Sequence, residues 1–139
     1  MTGFSSSRSG TVPVLVLGDV LLVTLQGELH DSVAEQLQQD LAQSIATSPA
    51  PVRGLVIDIS GVEIVDSFLG RILAEIASTA RLLATRTVLA GMRPAVAITL
   101  VELGLTLPGL TTALDVDRAL ALLGDAPAGS SPAQPEEGV

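Results

Sequence analysis

The sequence predicts an α/β domain, a mixed sheet of four to five strands with helices packed against it. Three observations predict it. Short aliphatic runs alternate with stretches whose apolar residues recur at helical spacing, the pattern of strands joined through helices. The 139-residue chain is 47% hydrophobic yet has only two aromatic residues, Phe4 and Phe68, so its core is built from Leu, Val, Ile and Ala. Gly, Pro, Ser and Asp punctuate the pattern often enough to imply short connections.

The length suits one domain with a single core, expected over residues 12–124. Residues 1–11 are rich in Ser and Gly, and residues 125–139 combine Pro, Gly, Ser and acid, so both ends read as flexible tails. No internal repeat is visible. Residues 12–17 form an aliphatic run, Gly18-Asp19 a turn, and residues 20–25 (VLLVTL) a second run, which together predict an antiparallel hairpin. A helix then starts at Asp31, with Val33, Leu37, Leu41 and Ile45 as its apolar stripe and Pro49 and Pro51 beyond its end. Residues 54–59 (GLVIDI) are nearly continuous in apolar character, as in a strand covered by other elements. Ser67 opens a second helix whose stripe includes Leu69, Ile72, Leu73, Ile76 and Ala80. Residues 86–90 (RTVLA) form a fourth strand, and Gly91-Met92-Arg93-Pro94 a turn with Pro94 at the first helical position. The helix that follows ends at Gly104, and a last one begins at Asp115 or Asp117. The element order is therefore β-β-α-β-α-β-α-α.

Composition removes most chemistry. There is no Cys, which excludes thiol catalysis, disulfides and Cys-based metal sites. The seven basic residues are all Arg, so a phosphate-binding lysine, a Schiff base and a Ser-Lys dyad are excluded as well. His30 is the sole histidine and cannot build a two-His metal site. A net charge of −8 and the lack of aromatic platforms argue against nucleic acid. No apolar run reaches the ~18 residues that cross a bilayer. The first ten residues lack a signal-peptide core, so a cytoplasmic protein without cofactor or metal is expected.

Three segments carry a family resemblance: VPVLVLGDVLLVTLQGELHD (12–31), VIDISGVEIVDSFLGRIL (56–73) and VLAGMRPAVAITLVELG (88–104). On these the chain resembles the STAS domain of anti-sigma-factor antagonists, over residues 12–123. Within that superfamily it looks most like the RsbS-type stressosome protein, and the lack of an N-terminal sensory domain fits that type better than RsbR-type paralogues. The resemblance implies a non-enzymatic signalling scaffold whose Ser67 is phosphorylated by an RsbT-type serine kinase. It also implies homo- and hetero-oligomers with RsbR-type paralogues and reversal by a phosphoserine phosphatase. Free-standing antagonists commonly carry a DSSGL-like turn. Here Asp66-Ser67-Phe68-Leu69-Gly70 lacks the second Ser and displaces the Gly, which favours the RsbS branch.

The residues themselves leave alternatives open. Ser67 stands where an N-cap is expected, and a phosphate at the same place would meet free N–H groups and the positive end of the helix dipole. Asp66 is a helix-start acid or an orienting group for Ser67. Glu63 adds negative charge, Arg71 one turn on could moderate it or be solvated, and Phe68 is a contact anchor if exposed or core if buried, with burial favoured. Asp66, Phe68, Glu63 and Arg71 are the candidate partner-binding residues around Ser67. Ser60 reads as a loop leader, Thr99 as structural, and His30-Asp31 as a turn and helix cap rather than a catalytic pair. Two other functions compete with the scaffold: a free antagonist that binds an anti-sigma kinase, and a small-ligand carrier or enzyme using His30.

Overall fold

The computed structural model describes residues 12–27, 29–105 and 110–124; the expected tails, residues 1–11 and 125–139, lie outside these. The elements run β1(Val14–Leu17), β2(Val20–Gln26), α1(Asp31–Ala46), β3(Gly54–Gly61), α2(Ser67–Leu82), β4(Arg86–Ala90), α3(Pro94–Glu102), β5(Leu110–Ala113) and α4(Val116–Gly124). Five strands form one sheet in the order β1-β2-β3-β4-β5. β1 and β2 pair antiparallel as the expected hairpin, and β2 to β5 run parallel. The turn of that hairpin uses Gly18 at φ +64°, which glycine adopts without steric cost.

The central strands β3 and β4 are buried almost continuously because both of their faces are covered, and successive side chains enter opposite cores. Leu21, Val23, Leu25, Leu55, Ile57, Ile59 and Leu89 point to the larger core, where α1, α2 and α3 contribute Leu37, Leu41, Leu73, Ile76, Val96 and Leu100. Val20, Val56, Val88 and Ala90 point to the other face, where α4 contributes Ala119 and Leu123. Gly54 permits the close approach of α4, since a Cβ there would overlap the Leu123 side chain. Gly70 plays the same part between α2 and Leu105.

Three local expectations change. The buried stripe of α1 is Ala34, Leu37 and Leu41, whereas Val33 and Ile45 are half-buried at its margins. A fifth strand, β5, pairs parallel with β4 from Thr87↔Leu110 to Ala90↔Ala113. Its four residues, LTTA, are half polar and none is fully buried, so neither a continuous apolar run nor a clean alternation announces it. At the start of α2 the capping residue is Asp66, not Ser67. Asp66 is extended (φ −123°, ψ 179°) and its carboxylate accepts the Leu69 N–H, which places Ser67 at the first helical position.

Candidate functional site

Two connections meet beyond the carboxyl ends of the central parallel strands, where open α/β sheets commonly bind partners and ligands. One joins β2 to α1 and the other joins β3 to α2. The Gly27 N–H points to the Gly61 carbonyl at 3.5 Å and Gly27 sits at φ +65°, so both chains turn away from the sheet side by side. Between them lies a concavity of about 810 Å³ lined by Gly27, Leu29, His30, Asp31, Gly61, Glu63, Ile64, Asp66, Phe68 and Leu69.

Its character is apolar and acidic together. Leu29, Ile64, Phe68 and Leu69 supply the apolar wall, and Asp31, Glu63 and Asp66 supply three carboxylates. Among the described residues His30 is the one basic side chain that lines it. It occupies the cap position of α1 but makes no side-chain capping bond; its carbonyl accepts the Ala34 N–H at 2.8 Å. Ile64 is 83% exposed, an aliphatic side chain displayed on a loop. Phe68 is half-buried: it packs on the main core and also shows part of its ring to the concavity, between the two expectations for it.

The cap explains how the turn is held. Asp66 Oδ1 accepts from Leu69 N at 2.9 Å, and the Asp66 carbonyl accepts from Gly70 N at 3.1 Å. Ser67 is exposed and its hydroxyl is not needed to close the helix. Among the described residues the Ser67 and Phe68 amides have no backbone acceptor, as expected for the first two positions of a helix.

Glu63, Asp66 and Phe68 are thus brought together, with Ser67 between two lining residues. Arg71 is exposed on the next turn and does not line the concavity. A different arginine reaches the loop. Arg93 donates from Nε to the Ser60 carbonyl at 2.9 Å, and its guanidinium lies 4.0 Å from the Glu63 carboxylate. Asp58 Oδ1 accepts the Ser60 N–H at 3.0 Å, so the end of β3 is held from both sides. Gly91 at φ +76° permits this approach, because a Cβ there would lie 2.9 Å from Ser60 Cβ. The sequence marked Arg93 only as part of a turn; Pro94 after it favours the extended backbone Arg93 adopts (φ −72°, ψ 146°), but no local signal directs its side chain to β3.

The remaining candidates sit in local backbone contacts. Thr99 Oγ1 donates to the Ala95 carbonyl at 2.9 Å within α3. Ser60 is exposed at the end of β3 with both backbone groups engaged. Among the described residues no group of three His, Asp or Glu side chains is placed to hold a metal ion. No helix among them is long and apolar enough to cross a membrane.

The chain belongs to the STAS domain family, whose model matches residues 11–119. The family's anti-sigma-factor antagonists and stressosome scaffolds are generally non-enzymatic. Among solved structures, a serine-to-glutamate variant of RsbS from Moorella thermoacetica is 42% identical with a TM-score of 0.71, covering 81% of this chain and 94% of that one. A chain from the molecular architecture of the stressosome, described as a signal integration and transduction hub, is 44% identical with a TM-score of 0.70, covering 81% and 96%. The anti-sigma factor antagonist SpoIIAA, at 18% identity and a TM-score of 0.64, shares the fold alone. Among curated relatives, the RsbT co-antagonist protein RsbRA of Bacillus subtilis is 28% identical over 121 residues, which is 79% of this chain and 43% of that protein. RsbRC of the same organism is 30% identical over 112 residues, covering 80% and 39%. The chain therefore spans about two-fifths of the length of these co-antagonists.

Proposed function

We propose that this chain is an RsbS-like signalling scaffold that holds a serine kinase of the RsbT type and releases it when Ser67 is phosphorylated. The observation that carries the reading is the division of labour at Asp66-Ser67. Asp66 alone caps α2, so Ser67 is exposed and its hydroxyl can be modified without unfastening the helix. Similarity to RsbS at 42% identity supports the same reading.

The physical effect of the modification follows from its neighbours. A phosphate on Ser67 adds close to two negative charges beside Asp66 and Glu63, and meets the open amides of Ser67 and Phe68. The helix tolerates it, with a dipole contribution of about 0.3–1 kcal/mol at an exposed site. A partner seated over Phe68 and Ile64 instead meets new charge and lost apolar contact. Asp66, Phe68 and Glu63 form the docking surface, with Arg71 at its margin. RsbR-type paralogues share the assembly, and a phosphoserine phosphatase resets it.

The test is phosphate transfer. With its cognate RsbT-type kinase and ATP, the full chain gains one phosphate, located by mass spectrometry at Ser67, and Ser67→Ala gains none. Modification that persists in Ser67→Ala overturns the site. In pull-downs Ser67→Ala retains the kinase and Ser67→Asp releases it; equal retention overturns the release mechanism.

A further inference from the structure

The outward face of α2 carries a charge that the concavity does not use. Along the helix Ser67, Arg71, Glu75 and Ser78 are exposed, while Leu69, Gly70, Ile72, Leu73, Ile76 and Ala77 are buried. Ser67 and Arg71 are therefore consecutive members of one outward stripe, a single turn apart. Side chains at i and i+4 on such a stripe are within reach of each other.

The neighbouring charges are already engaged. Asp66 Oδ1 accepts the Leu69 N–H at 2.9 Å. Arg93 donates to the Ser60 carbonyl and stands 4.0 Å from the Glu63 carboxylate. Glu75, the acid one turn beyond Arg71, accepts from Gln38 Nε2 on α1 at 2.9 Å. Its order after the arginine is also the weaker one for a helical ion pair. Among the described residues Arg71 itself makes no ion pair. An uncommitted guanidinium thus lies one turn beyond an uncommitted hydroxyl.

We propose that Arg71 holds the phosphate of phosphorylated Ser67, pairing with it from i+4 on the same helix face. This rests on the reading of Ser67 as the phosphoacceptor and adds where the phosphate is held. The order is the favourable one, with the anion toward the helix N-terminus and the cation a turn later. The planar guanidinium presents paired N–H donors that fit two phosphate oxygens. The hydroxyl of unmodified Ser67 carries no charge, so the pair belongs to the modified state alone. Phosphorylation then changes this surface twice: it adds a dianion, and it draws Arg71 back onto α2, out of reach of a partner.

Phosphorus NMR titration of the full chain, with phosphoserine installed at position 67 during translation, tests this without a kinase. Asp31, Glu63 and Asp66 oppose the second ionisation of the phosphate, and His30 and Arg93 favour it, equally in every chain compared. Arg71→Gln should raise the second pKa of the phosphate by at least about 0.3, and Arg71→Lys should recover part of that rise. Arg81→Gln, at an exposed residue in the last turn of α2, should leave it unchanged. Phosphoserine should also raise the melting temperature more in the parent chain than in Arg71→Gln. A pKa that Arg71→Gln does not move, or that Arg81→Gln moves as far, overturns the proposal. Its failure is distinct from failure of the phosphoacceptor reading, which kinase transfer and mass spectrometry score separately.

Discussion

The Asp66 carboxylate accepts the backbone N–H of Leu69 at 2.9 Å, and this single bond separates the residue that holds α2 in place from the residue beside it that is free to be modified.

Stability should divide between the two in the same way. Asp66→Ala removes the cap and should cost about 1 kcal/mol of unfolding free energy. Ser67→Ala, at an exposed first helical position, should stay within about 0.5 kcal/mol of the unmodified chain. Urea unfolding of both variants measures this. If Ser67→Ala were the costlier, the hydroxyl would be part of the cap after all.

Partner binding should separate from stability at Ile64. Because the side chain is 83% exposed, Ile64→Ala should change the melting temperature little. If the concavity is the docking surface proposed for the kinase, the same change should weaken kinase binding by about tenfold in titration calorimetry. Phe68→Ala should lower both, since its ring also packs against the main core.

Two buried threonines, Thr85 just before β4 and Thr87 within it, should respond in opposite directions. Thr85 Oγ1 donates to the Val52 carbonyl at 2.9 Å, so Thr85→Val leaves a buried acceptor short of a partner and should cost about 1–2 kcal/mol. Thr87 is 1% exposed and its Oγ1 has no hydrogen-bond partner among the described residues. Thr87→Val removes that desolvated hydroxyl at nearly constant shape, so it should be neutral or stabilising by up to about 1 kcal/mol. Paired denaturation curves decide both.

The ends of α2 and α3 offer a matched comparison. Both close with the same pair of bonds: Thr85 N to Ala80 O and Ala84 N to Arg81 O in one, Leu105 N to Leu100 O and Gly104 N to Val101 O in the other. The left-handed position is Gly104 at φ +70° in α3 but Ala84 at φ +62° in α2. An L-residue with a Cβ is strained there. Ala84→Gly should therefore stabilise by roughly 0.5 kcal/mol and Gly104→Ala destabilise by about 1 kcal/mol, read from thermal unfolding.

Most of the fold was legible because its signals are local. Gly18-Asp19 between two aliphatic runs specified the hairpin, the Leu69–Ala80 stripe specified α2, and Pro94 with Gly104 bracketed α3. β5 escaped because Thr111 and Thr112 carry no apolar signal, and the strand exists through its ladder with β4. The cap was placed one residue late because Asp and Ser are nearly equal N-caps, and adjacent good caps can be separated only by backbone geometry.

The site divides along the same line. The sequence by itself determined that Cys and Lys are missing and His30 stands alone, that the Asp66-Ser67-Phe68 turn opens a helix, and that the chain resembles a STAS domain, because composition and short-range spacing are written along the chain. The tertiary structure decided which neighbours that turn has. It set His30 and Asp31 from the β2–α1 connection against Glu63, Ile64 and Asp66, left Arg71 outside, and brought Arg93 to the end of β3. These residues run from His30 to Arg93 along the chain, and parallel pairing of β2, β3 and β4 is what carries their loops to one end of the sheet.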